Sequence, residues 1–192
     1  MDGTTEPRSD AIIFVLGPPG SGKGTLCKLA ATRLRTPYHR CFHLSVGDYL
    51  RELCDPAIPH DEKSSDLKLI YEYLQESKLV PADVLIPVLE HKINSMPDDK
   101  SAIATTWLID GFPRNMETAL AFEEKVSKPV KVITLECLRA IAEGRFLRRG
   151  REKIDDEKRF DKRYSEYLEN TKVQVDGGRG ECLDKFLAAL RR

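Results

Sequence analysis

The chain has 192 residues, with Lys plus Arg and Asp plus Glu each totalling 31, so its formal net charge is zero. That balance argues against a nucleic-acid or membrane-surface protein, which would carry a basic excess, and no apolar run approaches the length of a bilayer span. The length suits a single domain, 1–192, with a full central core.

Residues 1–10 are polar and mildly acidic, without the basic and apolar regions of a signal peptide, and read as a loose tail. Ile12 to Leu16 is an apolar, partly β-branched run, the pattern of a short strand buried on both faces. Gly17-Pro18-Pro19-Gly20-Ser21-Gly22-Lys23-Gly24-Thr25 follows, and then Leu26, Leu29, Ala30 and Leu34 recur at helical spacing up to Arg35, before the Thr36-Pro37 step. Cys41 to Leu44 reads as a second strand. Ser45 is placed to cap a helix carrying Tyr49, Leu50, Arg51 and Leu53.

Residues 55–65 carry Pro56, Pro59 and many polar groups, the signature of a loop, and helical spacing resumes from Asp66 to Gln75. Pro81 opens the next helix at its first position, with Val84, Leu85, Val88, Leu89 and Ile93 as the apolar face and Pro87 as a kink. Ile103 to Ile109 is a buried strand ending in Asp110-Gly111-Phe112-Pro113-Arg114. Pro113 and the helical pattern from Glu117 argue against a returning hairpin. Val130 to Cys137 is another strand. A helix from Ile141 becomes strongly charged between Arg145 and Arg163 and continues through Tyr164, Tyr167 and Leu168. Val173-Gln174-Val175 reads as a last short strand, and Leu183, Phe186, Leu187 and Leu190 as a closing helix. Strands alternating with helices imply right-handed crossovers and a parallel α/β sheet covered on both faces.

Five scattered cysteines (Cys27, Cys41, Cys54, Cys137, Cys182), never spaced as CxxC, suit reduced thiols in a cytosolic protein rather than a zinc site or disulfide framework. His39, His43, His60 and His91 form no ligand cluster and read as structural or solvent-facing.

The chemistry starts at residues 17–25. Glycines let backbone N–H groups turn inward, a helix start adds partial positive charge, and Lys23 adds a full one, which makes a phosphate-binding loop. Gly24 follows the lysine, and the hydroxyl residue Thr25 comes one place later than in the common pattern. Paired with such a loop, the strand-ending Asp110 is the candidate for holding Mg²⁺ or its water shell. Arg51, Arg114, Arg145, Arg149, Arg151 and Arg163 are separate cations around that loop, whereas Arg148 and Arg159 read as solvated surface. Several converging cations suit the joining of two anionic substrates. If the acceptor is itself a phosphate, the reaction needs neutralisation, alignment and exclusion of water but no general base.

Together Gly17–Thr25, Leu44-Ser45-Val46-Gly47-Asp48-Tyr49-Leu50-Arg51, Val80-Pro81, Asp110–Arg114 and Arg149-Gly150 with Asp155-Asp156 resemble the adenylate kinase and UMP-CMP kinase family in order and rough spacing, over residues 11 to about 176. The resemblance implies a three-layer P-loop fold with a five-stranded parallel sheet, a mobile monophosphate-binding segment at 45–80 and a short lid at 148–160 without a four-cysteine zinc site. It makes the displaced Thr25 the family's own form of the loop. It implies that Gly20, Ser21, Gly22, Lys23, Gly24 and Thr25 bind ATP, with Lys23 bridging the β- and γ-phosphates and Arg145 stacked on the donor base. Arg51 and Arg114 would hold the monophosphate. Arg149 and Arg163 would reach over the transferring group, making Lys23, Arg114, Arg149 and Arg163 the catalytic set. Asp110 and, through water, Thr25 would serve the metal, with Asp155 and Asp156 ordering its water. Ser45, Val46, Arg51, Val80, Gly111, Arg114, Asn115 and Thr118 would form the acceptor pocket.

Three features depart from the family. The lid is short between Arg149 and Asp155, leaving Arg151 or Lys153 as its second cation; the helix after Thr171-Lys172 is deleted; and the 55–65 loop is long. On acceptor choice, adenylate kinases have Thr where this chain has Val46 and Gln where it has Thr118. UMP-CMP kinases have a small apolar residue and then Asn directly after the arginine, as with Val46 and Asn115. An amide can pair with a pyrimidine edge through both donor and acceptor. The leading expectation is a monomeric, cytoplasmic or nuclear pyrimidine nucleoside monophosphate kinase using Mg²⁺ and ATP, binding neither nucleic acid nor membrane. Adenylate kinase and a nucleotide-binding protein of low activity are the alternatives.

Overall fold

Successive residues of a strand point to opposite faces, and the apolar run after residue 10 supplies both. Ile12 and Phe14 enter one core, while Ile13 and Val15 enter another. The structure is a computed structural model describing residues 9–55, 64–95, 104–149 and 156–170. In chain order its elements are β1 (Ser9–Leu16), α1 (Lys23–Leu34), β2 (His39–Ser45), α2 (Val46–Leu53), α3 (Ser64–Gln75), α4 (Ala82–Asn94), β3 (Ala104–Asp110), α5 (Met116–Lys125), β4 (Lys131–Thr134), α6 (Arg139–Arg148) and α7 (Glu157–Asn170). None of the described helices is long and apolar enough to cross a membrane.

The strands lie in the order β2-β3-β1-β4, all parallel. The described residues thus form four strands, not the five expected; the fifth, Val173-Gln174-Val175, lies outside them, as does the closing helix. β1 begins earlier than its apolar run indicates, because Ser9 and Asp10 pair with Ala104 and Thr105. Those two residues therefore belong to the sheet and not to a loose tail. Backbone hydrogen bonding sets this limit, and polar side chains at a strand's start do not oppose it. Pro81 is the N-cap of α4, one place before its expected position.

Helix α1 covers one face through Leu26, Cys27, Ala30 and Ala31, which pack on Ile13, Val15, Cys41, Leu108 and Ile133. On the other face Phe122 of α5 and Leu85, Ile86 and Leu89 of α4 close over Ile12, Phe14, Trp107 and Ile109. Chains leaving β1 and β3 thus turn to opposite faces, which opens a crevice beyond the C-terminal ends of these two neighbours. A small third cluster of Ala142, Phe146 and Phe160 joins α6 to α7.

Three aromatic rings pin the floor of that crevice. Phe14 meets Phe112 and Phe122 edge-on with centroids 5.3 Å apart in each case, and Phe112 lies 5.2 Å from Phe122. All three side chains are essentially fully buried. Phe122→Ala should therefore lower unfolding free energy by about 3–5 kcal/mol, the usual cost of truncating a core phenylalanine, read as a fall in the urea midpoint with unchanged slope.

Candidate active site

The loop between β1 and α1 is shaped by its glycines. Gly20 has φ +81° and lies so close to α6 that a Cβ there would sit 2.0 Å from the Ala142 carbonyl oxygen. Gly22 is the N-cap of α1 at φ 93°, and no side chain caps this helix. A Cβ on Gly22 would meet nothing within 4 Å, so the helix start faces open space. Free N-terminal N–H groups and the helix dipole make such a place attractive to anions. Ser21 Oγ is buried in the same loop and has no hydrogen-bond partner among the described residues. Gly20, Ser21, Gly22, Lys23, Gly24 and Thr25 all line one cavity of about 480 Å³.

Lys23 Nζ donates to the carbonyl oxygens of Gly17 (2.8 Å) and Pro18 (3.0 Å). Burial pushes its ammonium down from the ordinary lysine range, and the Asp110 charge opposes that push. Asp110 stands in register with Val15 of β1 and Ser45 of β2. It is buried, and its Oδ2 lies 3.4 Å from Nε2 of His43, whose side chain is also buried. Among the described residues no group of three or more His, Cys, Asp or Glu could hold a metal. A buried carboxylate on the loop side of this cavity, Asp110, suits Mg²⁺, which takes one or two carboxylates and completes its shell with waters and phosphate oxygens.

A second, smaller pocket of about 60 Å³ adjoins the first and is lined by Val46, Leu50, Leu74, Val80, Leu85, Phe112, Asn115 and Thr118, among others. Seven residues line both spaces and so form the neck between them: Gly47, Arg51, Leu79, Gly111, Arg114, Arg163 and Glu166. A Cβ on Gly47 would lie 3.5 Å from Arg51 Nη2 and 3.7 Å from Arg114 Nη2, so these two guanidinium groups converge above that glycine. Arg145 and Arg149 line the larger cavity from α6 and the residue after it. The Arg149 guanidinium stacks 4.0 Å over the Phe146 ring.

Apart from Asp156, every candidate site residue within the described chain lines one of the two connected spaces, though some side chains do work that the sequence did not announce. Ser45 occupies the N-cap position of α2 but makes no capping hydrogen bond, and it lines the large cavity instead. Asn115 is the N-cap of α5: its Oδ1 accepts from Thr118 N (2.9 Å) and Thr118 Oγ1 (2.8 Å). The amide therefore keeps only its N–H donors for a ligand, not the donor and acceptor expected. The cause is local, since the first N–H groups of a helix need an acceptor. Asp156 accepts from Arg159 N at 2.8 Å, a helix-start contact for α7. Arg148 is exposed as expected, whereas Arg159 is half-buried, with Nε out of solvent. Asp155, Arg151 and Lys153 lie outside the described residues.

Side chains at or beside the site that escaped the sequence reading include His43, Glu166, Tyr167 and the neck residue Leu79. His43 shares the strand face of Ser45, a signal that period-two alternation along β2 carries. Glu166 and Tyr167 follow Arg163 at three and four residues on α7, the spacing that puts side chains on one helix face. His39 is structural, with its ring nitrogens 3.0 Å from Leu34 O and 2.9 Å from Thr106 Oγ1.

A glycine loop, a strand-ending acid and an arginine neck thus bound two connected pockets. The family model described as adenylate kinase matches residues 15–177. The chain belongs to the adenylate kinase family. It is 34% identical over 166 residues to UMP-CMP kinase 3 of Arabidopsis thaliana, covering 85% of this chain and 74% of the relative. It is 35% identical over 174 residues to UMP-CMP kinase of Lentinula edodes, covering 86% and 72%. A gluconokinase structure from Sinorhizobium meliloti 1021 superposes with TM-score 0.55 over 97% of this chain and 94% of that one, and at 15% identity this likeness is one of fold alone. Membership of the adenylate kinase family makes the chain a phosphotransferase whose acceptor is itself a phosphate group.

Gly20→Ala tests the close approach of loop and α6. A side chain in this left-handed conformation costs about 1–3 kcal/mol even in open space, and here it would also strike the Ala142 carbonyl. The thermal unfolding midpoint should fall, as followed by circular dichroism.

Proposed function

We propose that this adenylate kinase family member is a nucleoside monophosphate kinase that transfers the γ-phosphoryl group of ATP reversibly to a pyrimidine nucleoside monophosphate, UMP or CMP. The observation that carries the reading is the arginine neck joining the loop-lined cavity to a smaller, mainly apolar pocket. The donor occupies the former and the acceptor's base the latter, so the two phosphates meet at Arg51, Arg114 and Arg163.

An oxygen of the acceptor's phosphate attacks the γ-phosphorus of ATP. One P–O bond forms as the bond from that phosphorus to the β–γ bridging oxygen breaks, which leaves ADP and a nucleoside diphosphate. The attacking oxygen is already anionic, so no base is required. Lys23, now held by two loop carbonyls, turns its charge to the β- and γ-phosphates, and the N-terminus of α1 contributes backbone donors. Arg51 and Arg114 align the acceptor, while Arg149 and Arg163 neutralise the transferring group and Arg145 stacks on the donor base. Mg²⁺, when bound, neutralises charge on the β- and γ-phosphates. Asp110, with Thr25 nearby on the cavity wall, would hold it through its water shell. Residues 45–80 act as the acceptor-binding segment and 148–160 as the lid.

Acceptor choice follows from the small pocket. Val46 and Val80 are buried apolar walls there, and Val46 offers no hydroxyl to a purine. Asn115, locked by its cap, presents N–H donors, which suit the carbonyl and ring-nitrogen acceptors of a pyrimidine. UMP-CMP kinases among the relatives favour the same assignment.

Lys23→Met should lower kcat by orders of magnitude with the fold retained, because the lost charge acts chiefly in the transition state; unchanged turnover would exclude the assignment. EDTA should abolish phosphoryl transfer in a coupled assay, and added Mg²⁺ should restore it. For the acceptor, Asn115→Asp keeps the oxygen that caps α5 and deletes the amide donors. It should cost CMP and UMP about 1–3 kcal/mol in kcat/KM, the penalty of an unpaired polar group, with AMP affected less. Asn115→Ala would additionally lose the cap, about 1 kcal/mol of stability. Preference of the wild type for AMP over both pyrimidine nucleotides would reassign the acceptor and leave the mechanism standing.

A further inference from the structure

We propose that Glu166 is the resident counter-ion of the arginine neck, a carboxylate that the acceptor's phosphate displaces, and that it thereby sets the KM for the acceptor. This rests on reading the neck as the meeting place of the two phosphates.

Glu166 is the only carboxylate among the seven described residues shared by the two spaces, which Arg51, Arg114 and Arg163 also line. It is half-buried on α7, one turn beyond Arg163. The other acids nearby are engaged elsewhere. Asp48 holds Arg51 Nη2 at 2.5 Å from within α2 and lines neither space, and Asp110 stands on the loop side against His43. Desolvation in the cleft pushes the Arg114 guanidinium down, and Glu166 is the strongest of the charges opposing this, ahead of Asp110. The carboxylate therefore bears on the phosphate end of the acceptor site rather than on the base end at Val46, Asn115 and Thr118.

A guanidinium has a fixed fork of donors that a carboxylate or a phosphate can fill, but the same donors cannot serve both. With Glu166 present, three cations are kept close without an unrelieved mutual repulsion while the site awaits substrate. The incoming phosphate, a better-charged acceptor, takes the donors over. Displacement costs part of the binding energy, so the acceptor binds more weakly than it would to an unopposed neck. Lys162, on the same helix, donates to the Glu76 carbonyl at 3.1 Å and ties α7 to the end of α3, which fixes the helix that presents Glu166.

Steady-state kinetics with saturating ATP and varied CMP or UMP test the proposal with Glu166→Gln. Removal of one like charge should lower the acceptor KM about fivefold, the scale of a partly exposed ion pair, with kcat changed less than the KM. Glu166→Asp should restore the wild-type value. In an Arg114→Ala background the Gln substitution should have little further effect, since coupled residues are non-additive. Titration with inorganic phosphate should show tighter binding to Glu166→Gln, or to Glu166→Ala should the first variant fold poorly. An acceptor KM that is unchanged or raised, or an equal gain with and without Arg114, overturns the counter-ion. If no nucleoside monophosphate is turned over by the wild type, the acceptor assignment has failed, and the phosphate titration alone decides the role of Glu166.

Discussion

The parallel pairing of β1 with β3 is the constraint on which the site depends. It sets Val15 opposite Asp110, so the chain that becomes the glycine loop and the acid that ends β3 emerge side by side. Because α1 turns to one face and α5 to the other, no described element fills the gap between the two strand ends. An unblocked helix N-terminus and a buried carboxylate then confront each other across a cavity. A helix start alone is a weak anion site, as is a lone lysine in water. Partly desolvated and held together, they act through a lower effective dielectric, and their attraction for phosphate rises accordingly.

The same economy governs the arginines. They come from four places in the chain: α2, the turn after β3, the end of α6 and the middle of α7. Like charges repel when gathered, so a cluster of this kind needs counter-charge even without substrate. Asp48 supplies it to Arg51, the Phe146 ring supplies a softer partner to Arg149, and Glu166 stands where Arg114 and Arg163 line both spaces. Lys23 is treated alike, with its ammonium resting on two carbonyls of its own loop. The cationic groups lining these spaces thus have internal partners of their own.

Asn115 shows how one side chain is divided between a helix cap and a pocket wall. Its oxygen satisfies the start of α5 and its nitrogen is left to the pocket. An uncommitted amide could turn over and offer either polarity to a base; a capping amide cannot. The helix cap therefore fixes which polar atoms of the amide remain toward the pocket.

Much of this protein was written in local pattern. The run Ile12–Leu16, the glycines and lysine after it, the strand ending at Asp110 and the helical spacing of each amphipathic segment depend on backbone propensity and burial within a few residues. For that reason the α/β class, the glycine loop and the strand-ending acid were legible from the chain alone, whereas cavity-lining residues such as Val46, Val80 and Thr118 were named only through the family resemblance. Resemblance to a family added the roles that spacing cannot convey. Tertiary structure alone decided what happens where distant segments meet: Ser9 and Asp10 join β1 because β3 offers them partners, and His43 faces Asp110 across two strands. Ser45 is left to the cavity without a capping bond. Glu166 lines the arginine neck with α7 packed through Phe160 on Phe146 and tied through Lys162 to the Glu76 carbonyl. A surface glutamate and a neck glutamate look identical in a charged helix. What distinguishes them is which other helices stand opposite, and that is a property of packing over long sequence separations, which no local window contains.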